Sequence, residues 1–437
     1  MTSSSVIQHF LFISFFLLSF CNAIFAYSSY RPHALFFPIR KDALTNQYIT
    51  QLHLGTPQVP ADLVVDLGGE LPWVNCQQGF ASSKTYKHVS CDSDQCARVK
   101  ISSCTKSTHN GGLSCGEDNI CYTLPGALGI AAGAEVASDA VSVHSTDGYT
   151  NVVSNVSSHR FIFACGPSSL LKGLAKGANG MAGLGRASAA LPAQFAVGFR
   201  VPRKFSLCLS SDKGVLFFGD GPYKMEPGID ITTSLDHTPL FVNPVDKAGI
   251  STTPRPSGEY FIAVKSINIG GKGVRFNKKL LSINKVSGHG GTKISTMNPY
   301  TALEPSIYKA FTSAFAKKAK AMNMSRVASV APFGACYDST NILKTRAGPL
   351  VPTINLVLPE KVIWRIHGAN SMVQISDSVI CLGFVDGSEF ARASVVIGGH
   401  QLEENLLQFD IPRSKLGFSS SLLLRETLCE TLNSLAK

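Results

Sequence analysis

Asp66 is the side chain in this 437-residue sequence whose surroundings best suit acid–base chemistry. It follows the apolar run 63–65 and precedes Leu67-Gly68-Gly69, a pattern typical of a buried strand that ends in a tight turn. Hydrolysis by carboxyl groups needs two of them, one ionised to activate water and one neutral to protonate the carbonyl oxygen. Asp66 therefore requires a second carboxylate before it can act.

The second half of the chain offers no obvious carboxylate for this role. No Asp or Glu occurs between Glu259 and Glu304, and the strand that should mirror the one before Asp66 ends at Ser295. A serine hydroxyl cannot hold the negative charge or relay the proton near neutral pH. We expect no nearby residue to substitute, and we interpret Asp66 as a relic bonded to the amides of its own turn. Ser295 also lies outside any Gly-x-Ser-x-Gly elbow, which argues against a serine hydrolase.

The N-terminus and the charge pattern indicate a secreted protein. An apolar run at 10–20, followed by Ala23 and Ala26, predicts a signal peptide over residues 1–26. A short membrane anchor is the alternative, although the run is short for a membrane span. The formal net charge of +11 is spread along the chain rather than gathered in a stripe, which argues against nucleic-acid binding. It suits acidic partners or polyanionic wall material.

Cysteine usage agrees with secretion. Eleven cysteines follow the signal peptide, and five of them lie between Cys91 and Cys121 in a segment with little core-forming material. Such a segment needs covalent cross-links, so disulfides are expected. Zinc is the alternative, but no two cysteines have two-residue spacing and no histidine lies at ligand spacing. We expect no metal and no other cofactor. The odd count leaves one thiol free or paired to another chain.

The elements that must position Asp66 and Ser295 read mostly as strands and turns. Alternating or continuous apolar patterns predict strands that include 47–54, 160–166, 215–219 and a long one at 259–271. Helices are few. The clearest is predicted from Pro305 to Met322, where an apolar stripe recurs every fourth residue at positions Ile307, Phe311, Phe315 and Ala319. A shorter helix is predicted at 191–199.

An internal duplication divides the chain. The strand ending at Asp66 is followed about a hundred residues later by an apolar-Gly element at 180–185, and the strand ending at Ser295 is followed in the same way by 395–399. We predict an N-terminal β lobe at 27–221, an inter-lobe region at 222–258 and a C-terminal β lobe at 259–437.

Longer motifs resemble a known family. The closing segments 394–400 and 406–419 resemble those of pepsin-like aspartic proteases. Four further segments resemble the plant extracellular dermal glycoproteins, whose relatives include legume basic globulins and cereal xylanase inhibitors: 161–165, 180–186, 290–296 and 327–334. The resemblance implies a mostly β, bilobal pepsin-like fold with a few short helices.

The same resemblance implies an extracellular inhibitor of microbial endoglycanases, either a xyloglucan-specific endoglucanase or a xylanase, with protease activity lost. Family members use loops of the C-terminal lobe, and Arg346 matches one of their basic positions. Arg425 stands one place before the other basic position, which Glu426 occupies, and Arg392 is a third candidate. The alternative is a non-inhibitory cell-wall glycoprotein that binds a peptide or polysaccharide. A residual aspartic endopeptidase is less favoured.

The resemblance also guides the cysteine assignments. Where the family has two cysteines three residues apart, this chain has Cys104 and Ser107, which implies that Cys104 is free. Two bridges are implied, Cys336 with Cys381 and Cys208 with Cys429. The other six pair among themselves in a connectivity that the sequence leaves open: Cys76, Cys91, Cys96, Cys115, Cys121 and Cys165.

Two sequons become available once the chain is secreted. They begin at Asn155 and Asn323, and both lie in polar surroundings. Together with the resemblance, which implies a plant protein of the cell wall and apoplast, they predict an N-glycosylated protein. We expect it to be monomeric, with no nucleic acid as partner and no membrane after cleavage of the signal peptide.

Overall fold

The computed structural model describes residues 32–99, 119–146, 153–221, 224–225, 229–245, 255–388 and 392–433. The predicted signal peptide, 1–26, lies outside these residues. The described part is mostly β with a few helices, as predicted.

The strands of the first half, labelled β1 to β13, are short except for the long hairpin formed by β9 and β10. They are, in chain order, Ala34–Lys41, Tyr48–Leu54, Val59–Asp66, Trp73–Val74, Lys87–His88, Tyr122–Thr123, Gly126–Ala127, Ile130–Ala131, Ala134–Thr146, Val153–Cys165, Gly180–Gly183, Lys204–Cys208 and Lys213–Gly219.

The remaining strands, labelled β14 to β33, begin in the predicted inter-lobe region. They are Lys224–Met225, Ile229–Asp230, Asp236–Phe241, Tyr260–Ile262, Ser266–Ile269, Lys272–Gly273, Thr292–Ile294, Thr301–Leu303, Arg326–Val327, Cys336–Asp338, Lys344–Thr345, Gly348–Pro349, Ile354–Val357, Ile363–Ile366, Met372–Ser376, Val379–Leu382, Phe384–Asp386, Val395–Ile397, Leu406–Asp410 and Lys415–Phe418.

The α-helices of the described residues are labelled α1 to α6. They are Asp94–Ala97, Leu191–Gly198, Pro305–Ala321, Gly368–Ser371, Gly399–Leu402 and Cys429–Asn433.

The helix α3 forms where the sequence predicts one. Pro305 occupies its first turn, and the Glu304 carboxylate caps it by accepting from the amides of Ser306 and Ile307 at 3.0 and 3.1 Å. The predicted apolar stripe is fully buried. The period of 3.6 residues therefore identifies both the helix and the face that packs on the C-terminal lobe.

The predicted duplication is present in the strand pairing. β3 runs parallel to β11, which places Asp66 opposite Gly183, and β20 runs parallel to β31, which places Ile294 opposite Ile397. A six-stranded antiparallel sheet joins the halves in the order β1, β13, β12, β32, β33, β16. Since β16 takes part in this sheet, the region 222–258 includes structured chain, and its role as a boundary stays a prediction.

The long strand predicted at 259–271 is wrong as a single element. β17 pairs with β20, whereas β18 pairs with β26 in a different sheet. The change of partner occurs at 263–265, where the Lys265 amide already bonds to the Val357 carbonyl at 2.7 Å. An unbroken apolar pattern cannot reveal that a chain leaves one sheet for another.

Four disulfides link the described residues. They join Cys76 to Cys165, Cys96 to Cys121, Cys208 to Cys429 and Cys336 to Cys381. The last two are the pairs expected above, and Cys208–Cys429 fastens α6 to β12. Cys91 is disulfide-bonded as well. Cys104 and Cys115 lie outside the described residues, so the free thiol at Cys104 stays a prediction.

Candidate functional site

A cleft of about 680 Å³ lies between the two halves of the molecule. Asp66 reaches it from β3, Ser295 from the end of β20, and a short hairpin of β7 and β8 forms part of its wall. The duplicated strands thus bring the two residues singled out by the sequence to one place. This cleft is the first of two candidate sites.

Asp66 is held by its own turn, as expected for a relic. Its carboxylate Oδ1 accepts from the Gly68 amide at 2.8 Å, and its backbone carbonyl accepts from the Leu184 amide at 2.8 Å. A Cβ on Gly69 would lie 2.7 Å from the Gly183 Cα, so the turn leaves no room for a larger residue at 69. The side chain is positioned by backbone geometry and needs no hydroxyl support.

The turn after β20 supports the turn of Asp66, but the support runs in one direction. The Thr296 hydroxyl donates to the Val65 carbonyl at 2.6 Å and accepts from the Leu67 amide at 3.2 Å. The Leu67 side chain is fully buried and apolar, so it cannot form an equivalent hydrogen bond to the turn after β20. Thr296 therefore provides one hydrogen-bonded link between the two lobes at their junction.

Ser295 is held by hydrogen bonds to β31 and within its own turn. Its amide donates to the Ile397 carbonyl at 2.9 Å, and its hydroxyl oxygen accepts from the Met297 amide at 3.2 Å. Ser295 thus brings a neutral group, rather than a carboxylate, to the cleft.

One acid outside the acid-free interval does lie near Asp66. Glu259 directly precedes β17, whose register pairs Tyr260 with Ile294, and it lines the cleft together with Asp66 and Ser295. A Cβ on Gly68 would lie 3.5 Å from Asp66 Oδ1 and 3.6 Å from Glu259 Oε1, so both carboxylates flank one glycine. Glu259 sits just outside the acid-free interval 260–303, and only the strand register shows that it faces the cleft.

Glu259 differs from the second carboxylate of a protease dyad, because it forms an ion pair with Lys293. The Lys293 ammonium lies 2.5 Å from Glu259 Oε1, and both side chains are partly exposed. A carboxylate dyad works because two negative charges compete for one proton. The Lys293 ammonium offsets part of this competition between Glu259 and Asp66. Sequence reasoning missed both Lys293 and Glu259.

Burial raises the pKa of Asp66. The amides of Gly68 and Gly69 and the Lys293 ammonium oppose the rise, the charge of Glu259 adds to it, and the result is a pKa of about 6. A carboxyl group whose pKa is higher in the folded than in the unfolded state favours folding fully only below the unfolded pKa. The contribution of Asp66 to the free energy of unfolding is therefore lost as the pH rises through about 6.

We predict that Asp66→Asn stabilises the protein at pH 7. The gap between the pKa of about 6 and the ordinary value of 3.8 corresponds to roughly 2–3 kcal/mol in the free energy of unfolding. Urea unfolding of parent and variant should show this gain at pH 7 and no gain below pH 3.8. Asp212→Asn, which removes an exposed carboxylate, is the control. A gain of the same size at both pH values would contradict the account.

The second candidate site lies on the C-terminal lobe, away from the cleft. Arg346 stands in the turn of the hairpin formed by β24 and β25, with its side chain 68% exposed. Its guanidinium forms an ion pair with the carboxylate of Glu426, which is 65% exposed. The two family positions, eighty residues apart in sequence, therefore meet on one surface.

Arg425 turns away from this pair. One of its guanidinium nitrogens donates to the Ser234 hydroxyl, and the other lies 3.5 Å from the Ser234 carbonyl. Glu426 then adopts a left-handed backbone conformation, with φ of 58°, which directs consecutive side chains to different neighbours. The structure thus brings Glu426, rather than Arg425, to Arg346.

Arg392 belongs to the other candidate site. It lines the central cleft, and its carbonyl accepts from the Gly290 amide at 2.7 Å. The three arginines proposed from the sequence therefore do not converge on one surface.

Both sequon asparagines are exposed. Asn155 lies in β10, and Asn323 follows α3 with a φ of 60°. Their exposure is compatible with glycosylation, which stays a prediction.

Within the described ranges, no cluster of three or more His, Cys, Asp or Glu side chains has the arrangement of a metal site. No helix in the same part of the chain is long and apolar enough to cross a membrane.

Comparison with known proteins gives the same architecture. Among solved structures, the chain superimposes on the crystal structure of edgp with a TM-score of 0.86 and 50% identity, covering 92% of this chain and 98% of the other. The structure of basic 7S globulin from soybean matches with a TM-score of 0.75 and 34% identity, over 92% and 98% of the two chains.

Related sequences cover nearly the whole chain. "Probable aspartic proteinase GIP2" of Nicotiana benthamiana is 50% identical over 423 residues, which is 93% of each chain. "Gamma conglutin 1" of Prunus dulcis is 41% identical, over 92% of this chain and 90% of the relative. Residues 48–220 match the family "Xylanase inhibitor N-terminal", and residues 259–420 match "Xylanase inhibitor C-terminal". The chain therefore belongs to the xylanase inhibitor family, whose members are non-catalytic homologues of pepsin.

Proposed function

We propose that this protein is a secreted, catalytically inactive homologue of aspartic proteases that inhibits a microbial endoglycanase, either a xyloglucan-specific endoglucanase or a xylanase. The observation that carries the proposal is the position of Arg346. It stands at the tip of a hairpin, it is mostly exposed, and among the described residues its guanidinium is bonded only to the equally exposed Glu426.

The chemistry of the partner explains why an exposed arginine matters. A retaining glycosidase holds two carboxylates about 5 Å apart in an open cleft. A guanidinium can donate two parallel charge-assisted hydrogen bonds to such a group, and it retains its charge at every relevant pH. The hairpin tip carrying Arg346 would place this group in the partner's cleft.

Apolar side chains around the ion pair support an interface. Leu343 is 70% exposed and Leu350 is 47% exposed, and the two are joined across the hairpin base by a backbone hydrogen bond of 2.7 Å. Leu424 and Leu428 are also exposed, on the segment that carries Glu426. A charged anchor surrounded by apolar groups has the composition of an interface hot spot with a rim that excludes water.

The absence of proteolysis is proposed on the geometry of the cleft. Ser295 occupies the place of a second carboxylate, Leu67 cannot support Asp66 through a hydroxyl, and Glu259 forms an ion pair with Lys293. A residual aspartic endopeptidase would need Asp66 and another carboxylate to share a proton.

We expect the purified protein to reduce the initial rate of a xyloglucan-degrading endoglucanase or of a xylanase at micromolar concentration. Rates should be measured for both enzymes against increasing concentrations of the protein, with heat-denatured protein as the control. Unchanged rates for both enzymes would contradict inhibition of these two classes.

A second candidate function is a wall glycoprotein that binds a peptide or polysaccharide without inhibiting an enzyme. The central cleft favours it, because the hairpin beside Asp66 exposes Leu128 and Ile130 toward a partly charged cavity. Retention on isolated cell wall, without capture of a secreted endoglycanase, would favour this function over inhibition.

Secretion to the apoplast, N-glycosylation and a monomeric state complete the proposal. The apolar N-terminal run, the disulfides and the exposed sequon asparagines support the first two.

A further inference from the structure

Two arginines meet beside the junction of the lobes, and neither of them lines the central cleft. The Arg186 amide donates to the Gly258 carbonyl at 2.9 Å. Arg203 Nη2 donates to the Arg186 carbonyl at 2.5 Å and lies 3.4 Å from that of Ala187. The loop after β11 and the start of β12 thus place two positive side chains next to each other.

Their guanidinium groups are short of hydrogen-bond acceptors. Arg186 Nε, Arg186 Nη2 and Arg203 Nε are all buried, and none of these atoms has a hydrogen-bond partner in the part of the chain that the structure describes. The Arg186 guanidinium lies over the Tyr260 ring, 5.0 Å from its centroid. This cation–π contact stabilises the positive charge of Arg186 but provides no hydrogen-bond acceptor for its N–H groups.

The nearby titratable groups do not supply a negative charge. Burial and the charge of Arg203 lower the pKa of Arg186, while Tyr260 opposes them. Burial raises the pKa of Tyr260, which keeps it neutral, and its hydroxyl donates to the Leu184 carbonyl at 2.8 Å. The neighbouring acids Asp220 and Asp410 lie 2.5 and 3.6 Å from the Lys204 ammonium.

Among the described residues, neither arginine forms an ion pair with a carboxylate. Two adjacent, partly buried cations in this situation are costly, since each loses hydration and repels the other. A guanidinium fork matches the spacing of oxygens on a tetrahedral oxyanion, and a dianion balances two positive charges. We infer that Arg186 and Arg203 form a binding site for a small inorganic oxyanion of the sulfate or phosphate class.

The site would join the lobes, because Arg186 and Arg203 belong to the N-terminal half while Tyr260 begins β17 of the C-terminal half. An anion held by both guanidinium groups would fix Arg186 over the Tyr260 ring. Sulfate should therefore stabilise the folded protein by binding to this site, in addition to the non-specific stabilisation that sulfate gives to most proteins.

Isothermal titration of the folded protein with sodium sulfate and with sodium phosphate, at ionic strength held constant with sodium chloride, tests this inference. We expect one saturable site per chain. Arg186→Met and Arg203→Met should each weaken binding at least tenfold, whereas Arg160→Met, which removes an exposed arginine in β10, should leave it unchanged. Circular dichroism establishes that each variant is folded, and Arg203→Lys, which keeps the charge but loses the fork, provides a milder change.

Crystals of the unmodified protein soaked in selenate give an answer that does not depend on any variant. An anomalous peak within hydrogen-bond distance of both guanidinium groups supports the site. The absence of saturable binding, equal affinity in Arg203→Met, or a soaked crystal without that peak would overturn the inference.

Discussion

Replacing Arg346 with alanine should weaken inhibition of the endoglycanase by about 2 kcal/mol or more, which is roughly 30-fold in the inhibition constant. The reason is that the partner's two catalytic carboxylates would lose a bidentate donor in a slot from which water is excluded. The hairpin itself should persist, since Arg346 lies at its tip and the pairing of β24 with β25 does not involve that side chain. The measurement is a series of inhibition constants at fixed pH and salt.

Two matched variants sharpen this prediction. Glu426→Gln removes the acidic partner of Arg346 without changing its shape, so inhibition should hold or improve by up to about fivefold, as an exposed ion pair contributes at most about 1 kcal/mol. Arg425→Ala should have a smaller effect than Arg346→Ala, because Arg425 is bonded to Ser234. An unchanged inhibition constant for Arg346→Ala would contradict this prediction and would show that Arg346 is an ordinary exposed residue outside the inhibitory contact.

Replacing Glu403 with glutamine should cost about 3 kcal/mol in the free energy of unfolding at pH 7. The Glu403 carboxylate is buried, where it accepts from Tyr48 Oη at 2.8 Å and pairs with the Lys41 ammonium at 2.8 Å and with His400 Nδ1 at 3.5 Å. It therefore ties β1 and β2 to the end of α5. Removing its charge leaves the Lys41 ammonium buried without compensation.

The pH dependence of this effect has a definite sign. Burial alone would raise the pKa of Glu403, but the hydrogen bond and charge of His400 and the ammonium of Lys41 lower it from 4.5 to about 2. The stabilisation is thus complete above pH 4.5 and is lost as pH falls through about 2.

Denaturant unfolding at several pH values checks the Glu403 prediction. The difference between parent and Glu403→Gln should shrink as the pH approaches 2. The control is Glu430→Gln, which breaks the exposed pair of Glu430 with Lys213 and should change stability by less than about 1 kcal/mol. A loss no larger than that of the control would show that Glu403 is not a structural cross-link.

The sequence predicts those parts of the fold that depend on local pattern. The four-residue apolar repeat locates α3 and its buried face, and the repeated strand-turn elements predict that Asp66 and Ser295 meet between two halves. These signals work because side-chain periodicity follows directly from backbone geometry.

The features that the sequence did not predict depend on contacts between distant segments. Glu259 escaped attention because it stands one residue outside the acid-free interval, and only the register of β17 against β20 directs it to the cleft. Similarly, Glu426 in sequence is an acid at a family's basic position, and only the structure shows that it pairs with Arg346. Long-range register and loop proximity have no local signal that could have revealed them.

The competition between this protein and a ligand in the active site of the endoglycanase tests the central proposal most directly. Binding should be measured to the free enzyme and to the same enzyme after a mechanism-based inhibitor has covalently occupied its catalytic nucleophile. If the Arg346 hairpin enters that cleft, the blocked enzyme should bind at least tenfold more weakly than the free one. Equal affinity for the two forms, or no binding to the free enzyme, would contradict the account.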